Sequence, residues 1–395
     1  MSPQYMAPED LRRDLARWRT PLLIGGILLL LACLVAGYFA PSAAFHGYLI
    51  GFLFWWGLAL GSMAFLMMQY LTGGAWGVVT RRIFEAAAGT LPLLAVLFVP
   101  FLFGLGSMYD WSHPDLVRGS ALLRHRAPYM TTPWFVVRAA VYFAIWIGLS
   151  HYLNRWSREQ DEGNPGRREL LGKLSAAGLI LYVFTVTFAS VDWAESLRTE
   201  WYSTMWGFLF VASQALTALS FVIAVAANLV NRDPMRHVLR PSHFHDLGKL
   251  LLMAVMLWAY FAFSQFLIVW AGDLTQEISW YLPRMKTSWG WVGTALILFE
   301  FVVPFLLLLS MPLKRRPRAL LFVVALILAM RFVDFVWLVL PSTGPGGFHI
   351  GWLDFAAPLG IGGLWLWSFL GELPKRPLVP VNSPFLEDAL AHGED

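Results

Sequence analysis

Ten long apolar runs dominate this sequence, and they leave it one kind of fold. They cover residues 21–39, 45–71, 83–107, 133–151, 173–191, 205–230, 247–271, 289–312, 319–340 and 350–370. A bilayer core about 30 Å thick is crossed by roughly 20 residues of α-helix. Lipid offers no hydrogen-bond partners, so each run must pair its own backbone groups, and an all-α polytopic membrane bundle follows. The first run is too long for the apolar core of a secretion signal and lacks a convincing cleavage site, so it reads as an anchor. Composition agrees: 58% of residues are hydrophobic and 14% charged, where a soluble domain has about 45–50% and 25%.

Two function classes drop out at once. The lone cysteine, Cys33, sits inside the first run. An internal disulfide, a Cys-ligated iron–sulfur cluster and a C-x-x-C-H haem attachment site are therefore excluded. The formal charge of +4 and pI near 9.2 do not call for nucleic acid, because membrane proteins collect Lys and Arg in cytoplasmic loops.

Direction follows from the same rule. Tails and loops on the side of the N-terminus hold 21 Lys and Arg, against 6 opposite (Arg118, Arg124, Arg126, Arg198, Arg284 and Lys286). Arg138 and Arg331 lie within runs. The expectation is a multi-pass membrane protein with both termini cytoplasmic. The outer loops 108–132, 192–204 and 272–288 are long and rich in aromatics with mixed charge. They suit either interfacial aromatic belts or a docking face for an extrinsic partner.

An internal repeat organises the runs. Gly51-Phe-Leu-Phe54 opens the second and Gly207-Phe-Leu-Phe210 the sixth, and Phe84-Glu85 and His245-Asp246 stand in register in the third and seventh. Helices 2–5 thus resemble helices 6–9. Four helices per unit is an even number, so both units run in the same sense. The domains expected are an N-terminal tail (1–20), a peripheral helix (21–39), a four-helix bundle (45–191), a second one (205–340), another peripheral helix (350–370) and a C-terminal tail (371–395).

Charges inside spans are costly and default to functional candidates. Glu300, Arg331 and Asp334 fall near the middle of runs eight and nine. At about 1.5 Å per residue, Glu300 lies roughly 17 Å and Arg331 roughly 14 Å from the outer side. Consecutive spans pack together, so the three meet, either as a static clamp or as an arginine holding one acid ionised while the other exchanges protons. A second group gathers near the terminal side: Glu85, Asp246 and Lys249, with His243, His245 and His151 nearby. There Asp246 would cap its helix and Lys249 snorkel, or the group would admit protons. Asp246, Lys249, Tyr260 and Ser264 share one stripe of the seventh run, Gln265 is just off it, and Gln214 has comparable depth in the sixth. Between Lys249 and Tyr260 lies a Met/Leu gap of roughly 16 Å. Arg138 and Asp192 are candidates for an outer exit. A b-type haem needs two facing histidines, and His46, His151 and His349 stand only at span ends. No P-loop is present.

One block carries a resemblance. Phe244-His-Asp-Leu-Gly-Lys249, Trp258-Ala-Tyr260, Phe263-Ser-Gln-Phe266, Glu277 and Trp280-Tyr281 resemble the ActF-type integral membrane subunits of bacterial alternative complex III, which belong with the NrfD/polysulfide-reductase membrane subunits. The resemblance implies two four-helix bundles and a redox-inactive subunit of a quinol:cytochrome c (or quinol:acceptor) oxidoreductase. Such a subunit scaffolds the complex and conducts protons. It implies no haem or cluster here. Quinone or quinol lies nearby, and iron–sulfur clusters and haems sit on partners: a sister ActC-type NrfD-like subunit, iron–sulfur and multihaem or monohaem cytochrome c subunits, and a terminal oxidase, among lipids. It assigns Asp246, Lys249, Tyr260, Ser264 and Gln265 to the motif. Two other readings stand beside it. One is a subunit that itself binds quinol, with Asp192, His46 and Trp193. The other is a stand-alone secondary transporter, against which count the aromatic outer loops and the want of a Gly/Pro-broken helix pair in matching positions.

Overall fold

The computed structural model describes residues 5–164, 166–199, 201–342 and 347–392. The ends of the two tails lie outside the described residues. The chain is 83% helical, with no strand among the described residues, and ten helices are long and apolar enough to cross a membrane. We number them α1 (Glu9–Phe39), α2 (Pro41–Thr72), α3 (Ala75–Leu102), α4 (Thr132–Asp161), α5 (Arg167–Trp193), α6 (Trp206–Leu229), α7 (Pro241–Gly272), α8 (Trp289–Leu309), α9 (Pro317–Val339) and α10 (Leu353–Glu372).

Five helices, α1, α3, α4, α5 and α7, overrun their apolar stretch by more than one turn on the terminal side, where the added residues include charged ones. α1 begins twelve residues before its apolar run, and its Arg13 pairs with Glu9 one turn away. α3 begins at Ala75, so Arg81 and Arg82 sit inside a helix and not in a loop.

The two units share one pattern of neighbours. In the first, α2 packs on α3 and α5, α3 on α4, and α4 on α5; in the second, α6 packs on α7 and α9, α7 on α8, and α8 on α9. The units meet where α2 lies along α6, with α5 also on α6 and α9 also on α2. α10 lies against α2, and α1 lies against α10. α1 is the outermost, with its side chains largely exposed, whereas two thirds of the apolar window of α10 is buried. The GFLF glycines do unlike jobs: a Cβ on Gly51 would strike the backbone of Pro358 in α10, and one on Gly207 would strike Thr187 in α5. α1 and α10 approach backbone to backbone. A Cβ on Gly26 would sit 2.9 Å from the Gly360 carbonyl, and one on Gly363 would sit 2.7 Å from that of Leu22. In lipid, where apolar surface has no reason to leave its solvent, such close van der Waals packing at small residues holds helices together.

Two spans depart from regular α geometry, each beside a carbonyl that the proline four residues further on cannot serve. Proline has no N–H, and its ring crowds the carbonyl at i−4. Pro92 addresses Ala88: α3 breaks at Gly89-Thr90 into Ala75–Ala88 and Leu91–Leu102. The freed Ala88 carbonyl accepts from the Ser150 hydroxyl of α4 (2.8 Å), and Thr90 Oγ1 donates to the Ala87 carbonyl (2.7 Å). Pro304 addresses Glu300: α8 widens into a π-helical turn over Ile297–Val302.

The outer loops fold inward. Trp111, Trp201 and Trp280 are buried, and the rings of Trp201, Trp206 and Trp280 pack together over the end of the second unit. Arg284 is buried too. Its guanidinium stacks on Trp280 at 3.6 Å and donates to the carbonyls of Trp280 (2.7 Å), Trp337 (3.2 Å) and Leu338 (2.7 Å), so a cation caps the carbonyl end of α9. On the terminal side the C-terminal tail folds back over both units. Leu378 N–H donates to the Tyr5 carbonyl (2.8 Å), Asn382 donates to that of Asp161 (2.8 Å), and a His243 ring nitrogen meets that of Ala389 (2.9 Å).

Candidate functional site

The second unit holds a charge cluster at its centre. The wide turn of α8 presents Glu300 inward, and one turn of α9 presents Arg331 and Asp334 on the same side. Arg331 Nη1 donates to Glu300 Oε1 (2.5 Å) and to Asp334 Oδ2 (2.6 Å), and Arg331 Nε donates to Thr217 Oγ1 on α6 (3.4 Å). Glu300 and Arg331 have no exposed surface and Asp334 almost none. The three expected from sequence do meet. Two carboxyls face one guanidinium, so the three groups balance in charge when one of the two acids holds a proton. Its hydrogen bonding is incomplete: Glu300 Oε2 and Arg331 Nη2 have no protein partner.

A feature of α6 was missed in the sequence. Ser213, Thr217 and Ser220 recur at i, i+4 and i+7, which places them on one face, and all are buried. Thr217 points that face at Arg331. The polar stripe of this unit therefore belongs to α6. On α7 the opposite holds. The buried face of α7 carries Phe244, Leu247, Leu251, Val255 and Trp258, while Lys249, Met253, Met256 and Tyr260 are exposed, Tyr260 by 62%, and Asp246 and Ser264 are half-buried. The Asp246–Ser264 stripe is no internal wire, because it faces outward.

The remaining motif residues have local roles. Asp246 does not cap α7. Instead the Arg240 N–H is taken by His243 Nδ1 (3.1 Å), and Asp246 pairs with Lys249 (3.3 Å) and His392 (2.8 Å). Gln265 is buried and ties two outer loops to α7. Its amide donates to the Tyr281 hydroxyl and its carbonyl oxygen accepts from Ser203, both at 3.3 Å. Burial raises the Tyr281 phenol to about 12, so it stays protonated.

Glu85 belongs to a separate cluster in the first unit, apart from Asp246. Arg82 Nη1 donates to Glu85 Oε2 (2.6 Å), and Arg82 Nη2 pairs with Asp161 at the end of α4. Ser157 donates to Glu85 Oε1 (2.5 Å) and Arg376 reaches Glu85 Oε2 (3.3 Å). Burial pulls the Arg376 guanidinium below its ordinary value, and Glu85 opposes that. The cluster borders a cavity of about 530 Å³ at the break in α3, with Ser150, Asn154 and Arg158 on its walls. Arg82, Asp161 and Arg376 were missed because they sat next to aqueous loops in the sequence. The spacing Arg82-x-x-Glu85 was the available signal.

The outer pair stands as a third site. Arg138 grips Asp192 bidentately at 2.9 Å twice, the Tyr142 hydroxyl donates to Asp192 (3.0 Å), and Arg138 lies 3.8 Å over the Tyr129 ring. Asp192 is fully buried. His46 does not join it: its Nδ1 is held by the Ser42 carbonyl (2.7 Å), and it lines a different outer cleft of about 390 Å³ with Tyr109, His113 and Arg198. Asp192 and Trp193 do not line that cleft. His349 is exposed and bonded to the Gly347 carbonyl. Among the described residues no group of three or more His, Cys, Asp or Glu is placed to hold a metal ion.

Residues 130–246, less than a third of the chain, match a family described as "Protein of unknown function (DUF1475)". The match runs from the start of α4 through α6 to the first turns of α7. No curated protein matches the chain.

Proposed function

We propose that this chain is a redox-inactive membrane subunit that moves protons through its helix bundles as part of a quinol:cytochrome c (or quinol:acceptor) oxidoreductase. One observation carries the proton half of the reading: Glu300, Arg331 and Asp334 form a fully enclosed cluster with two acids to one cation. A buried ionic group of this kind is costly, and a charge count that one proton balances gives it a use beyond packing. The Glu85 cavity on the terminal side and the Arg138–Asp192 pair on the outer side give protons groups to meet at either end. The complex half rests on the resemblance over Phe244–Tyr281 and on the chain's having no cysteine other than Cys33. In this reading the termini are cytoplasmic, which agrees with the excess of Lys and Arg on that side. Haems and iron–sulfur clusters then sit on partner subunits.

The transporter reading draws on the break in α3, a span interrupted beside a cavity. α7, the equivalent helix of the second unit, runs unbroken from Pro241 to Gly272, so the break has no counterpart in the repeat. Purification from the native membrane separates the readings. Co-purification with haem and iron–sulfur subunits, together with quinol-driven cytochrome c reduction, is the expected result. A protein that migrates alone and moves a solute into liposomes would overturn it.

A further inference from the structure

The interior of the second unit contains more hydrogen-bonding capacity than its own side chains use. Among the buried atoms there with no protein partner are Ser213 Oγ and Ser220 Oγ on α6, Glu300 Oε2 on α8 and Arg331 Nη2 on α9. Their residues are at most 1% exposed. The serines lie one turn to either side of Thr217, which touches Arg331 at 3.4 Å. From Ser213 to Ser220 the stripe covers about 10 Å of membrane depth at 1.5 Å per residue. A buried polar group left unmet costs about 1–3 kcal/mol, and more when it is charged. The two serines share the helix face of Thr217, which meets Arg331, and with the two ionic atoms they form a donor and acceptor set that calls for a ligand with both functions and very small size. Water satisfies all three conditions, and it is the usual occupant of polar interior sites.

We infer that the α6 stripe and the charge cluster together bind a short file of water inside the second unit, running from Ser213 past Thr217 and Arg331 to Ser220. Glu300 Oε2 and Arg331 Nη2 anchor its middle. Gln214, next to Ser213, turns towards the first unit and accepts from the Tyr182 hydroxyl of α5 (2.7 Å). Its own amide nitrogen is unpartnered, so the file has a neighbour at the seam between the units. This deepens the proton reading of the cluster and supplies what α7 does not, a polar surface facing inward.

Hydroxyl-radical footprinting of the full-length protein in detergent reads the water directly, because radicals made from bound water oxidise the side chains beside it. Trp258 is the reporter. It is 6% exposed, and its ring centroid lies 6.0 Å from Arg331 Cζ. Trp56 is the dry control, fully buried between Trp146 and Trp193. The expected result is oxidation of Trp258 several-fold faster than Trp56. That excess should vanish in the near-isosteric variant Ser213→Ala/Thr217→Val/Ser220→Ala, whose folding is checked by its unfolding temperature. Equal rates for the two tryptophans in the wild type, or an excess that survives the triple substitution, would overturn the inference. The readout needs neither quinol nor partner subunits. A positive footprint beside unimpaired proton release in a Glu300 variant would therefore sink the proton reading and leave the water file standing.

Discussion

Arg331 brings one positive charge to two carboxyls in a site without solvent, and that imbalance sets how the cluster responds to mutation. Removing the cation alone leaves two acids facing each other unpaired. Arg331→Met is expected to destabilise the protein by about 3–5 kcal/mol, the usual effect of breaking a buried ion pair from one side. Replacing all three, as Glu300→Leu/Arg331→Met/Asp334→Leu, should recover most of that loss, since well-packed apolar side chains replace buried ions at little or no cost. Unfolding temperatures in detergent compare the two variants, and a triple variant no more stable than the single one would show that the charges are not what costs. At this scale the sequence was partly legible. Glu300, Arg331 and Asp334 stood out because they interrupt apolar runs. Arg82 and Asp161 did not, because helices overrun their apolar stretch and carry apparent loop charges into the core. Tyr260 and Ser264 misled for another reason. Helical periodicity says which residues share a face but not which way that face points, and in lipid both faces of a helix are apolar.

Prolines and glycines set the shape of the elements. Pro92 and Pro304 each disable one carbonyl, and the consequences differ with what stands nearby. At Ala88 a hydroxyl from α4 takes the carbonyl and the helix breaks beside a cavity; at Glu300 the turn widens and continues. Wide turns of this kind gather at functional sites, and here one carries the acid of the central cluster. The prolines are plain in the sequence, but the outcome at each depends on a neighbouring helix that sequence spacing does not supply. The glycines of α1 and α10 act by absence of bulk. Gly363→Ala puts a methyl 2.7 Å from the Leu22 carbonyl, so α1 must shift outward. A loss of about 1–3 kcal/mol is expected, the range for overpacking a tight contact, with α1 becoming easier to digest with protease. Unchanged stability and digestion would mean that the tail contacts, not the glycines, hold α1 in place.

The whole molecule is two copies of one four-helix plan, with their chemistry placed differently in each. The repeat could be read from even helix counts and matched spacing, because even counts fix direction. The charges could not be mapped by the repeat: Glu85 is enclosed by Arg82 and Arg376, whereas its register partner Asp246 sits half-buried at the surface with Lys249 and His392. The third and fourth helices of both units are bridged by an arginine and a carboxylate, Arg138 to Asp192 and Arg331 to Glu300, with the arginine on opposite partners. In this arrangement the terminal-side cavity, the central cluster and the outer pair lie in different parts of the bundle, and only the central cluster is closed to solvent on every side. On the proposed proton reading, it is the point that a proton crossing the second unit would pass. Quinol-driven proton release per electron, measured with the intact complex in sealed vesicles, tests this most directly. With Glu300→Gln the account expects release to fall while the complex still assembles and its cofactors are still reduced. Normal release from that variant would contradict it, and so would failure of the complex to assemble, which would make the cluster a clamp and nothing more.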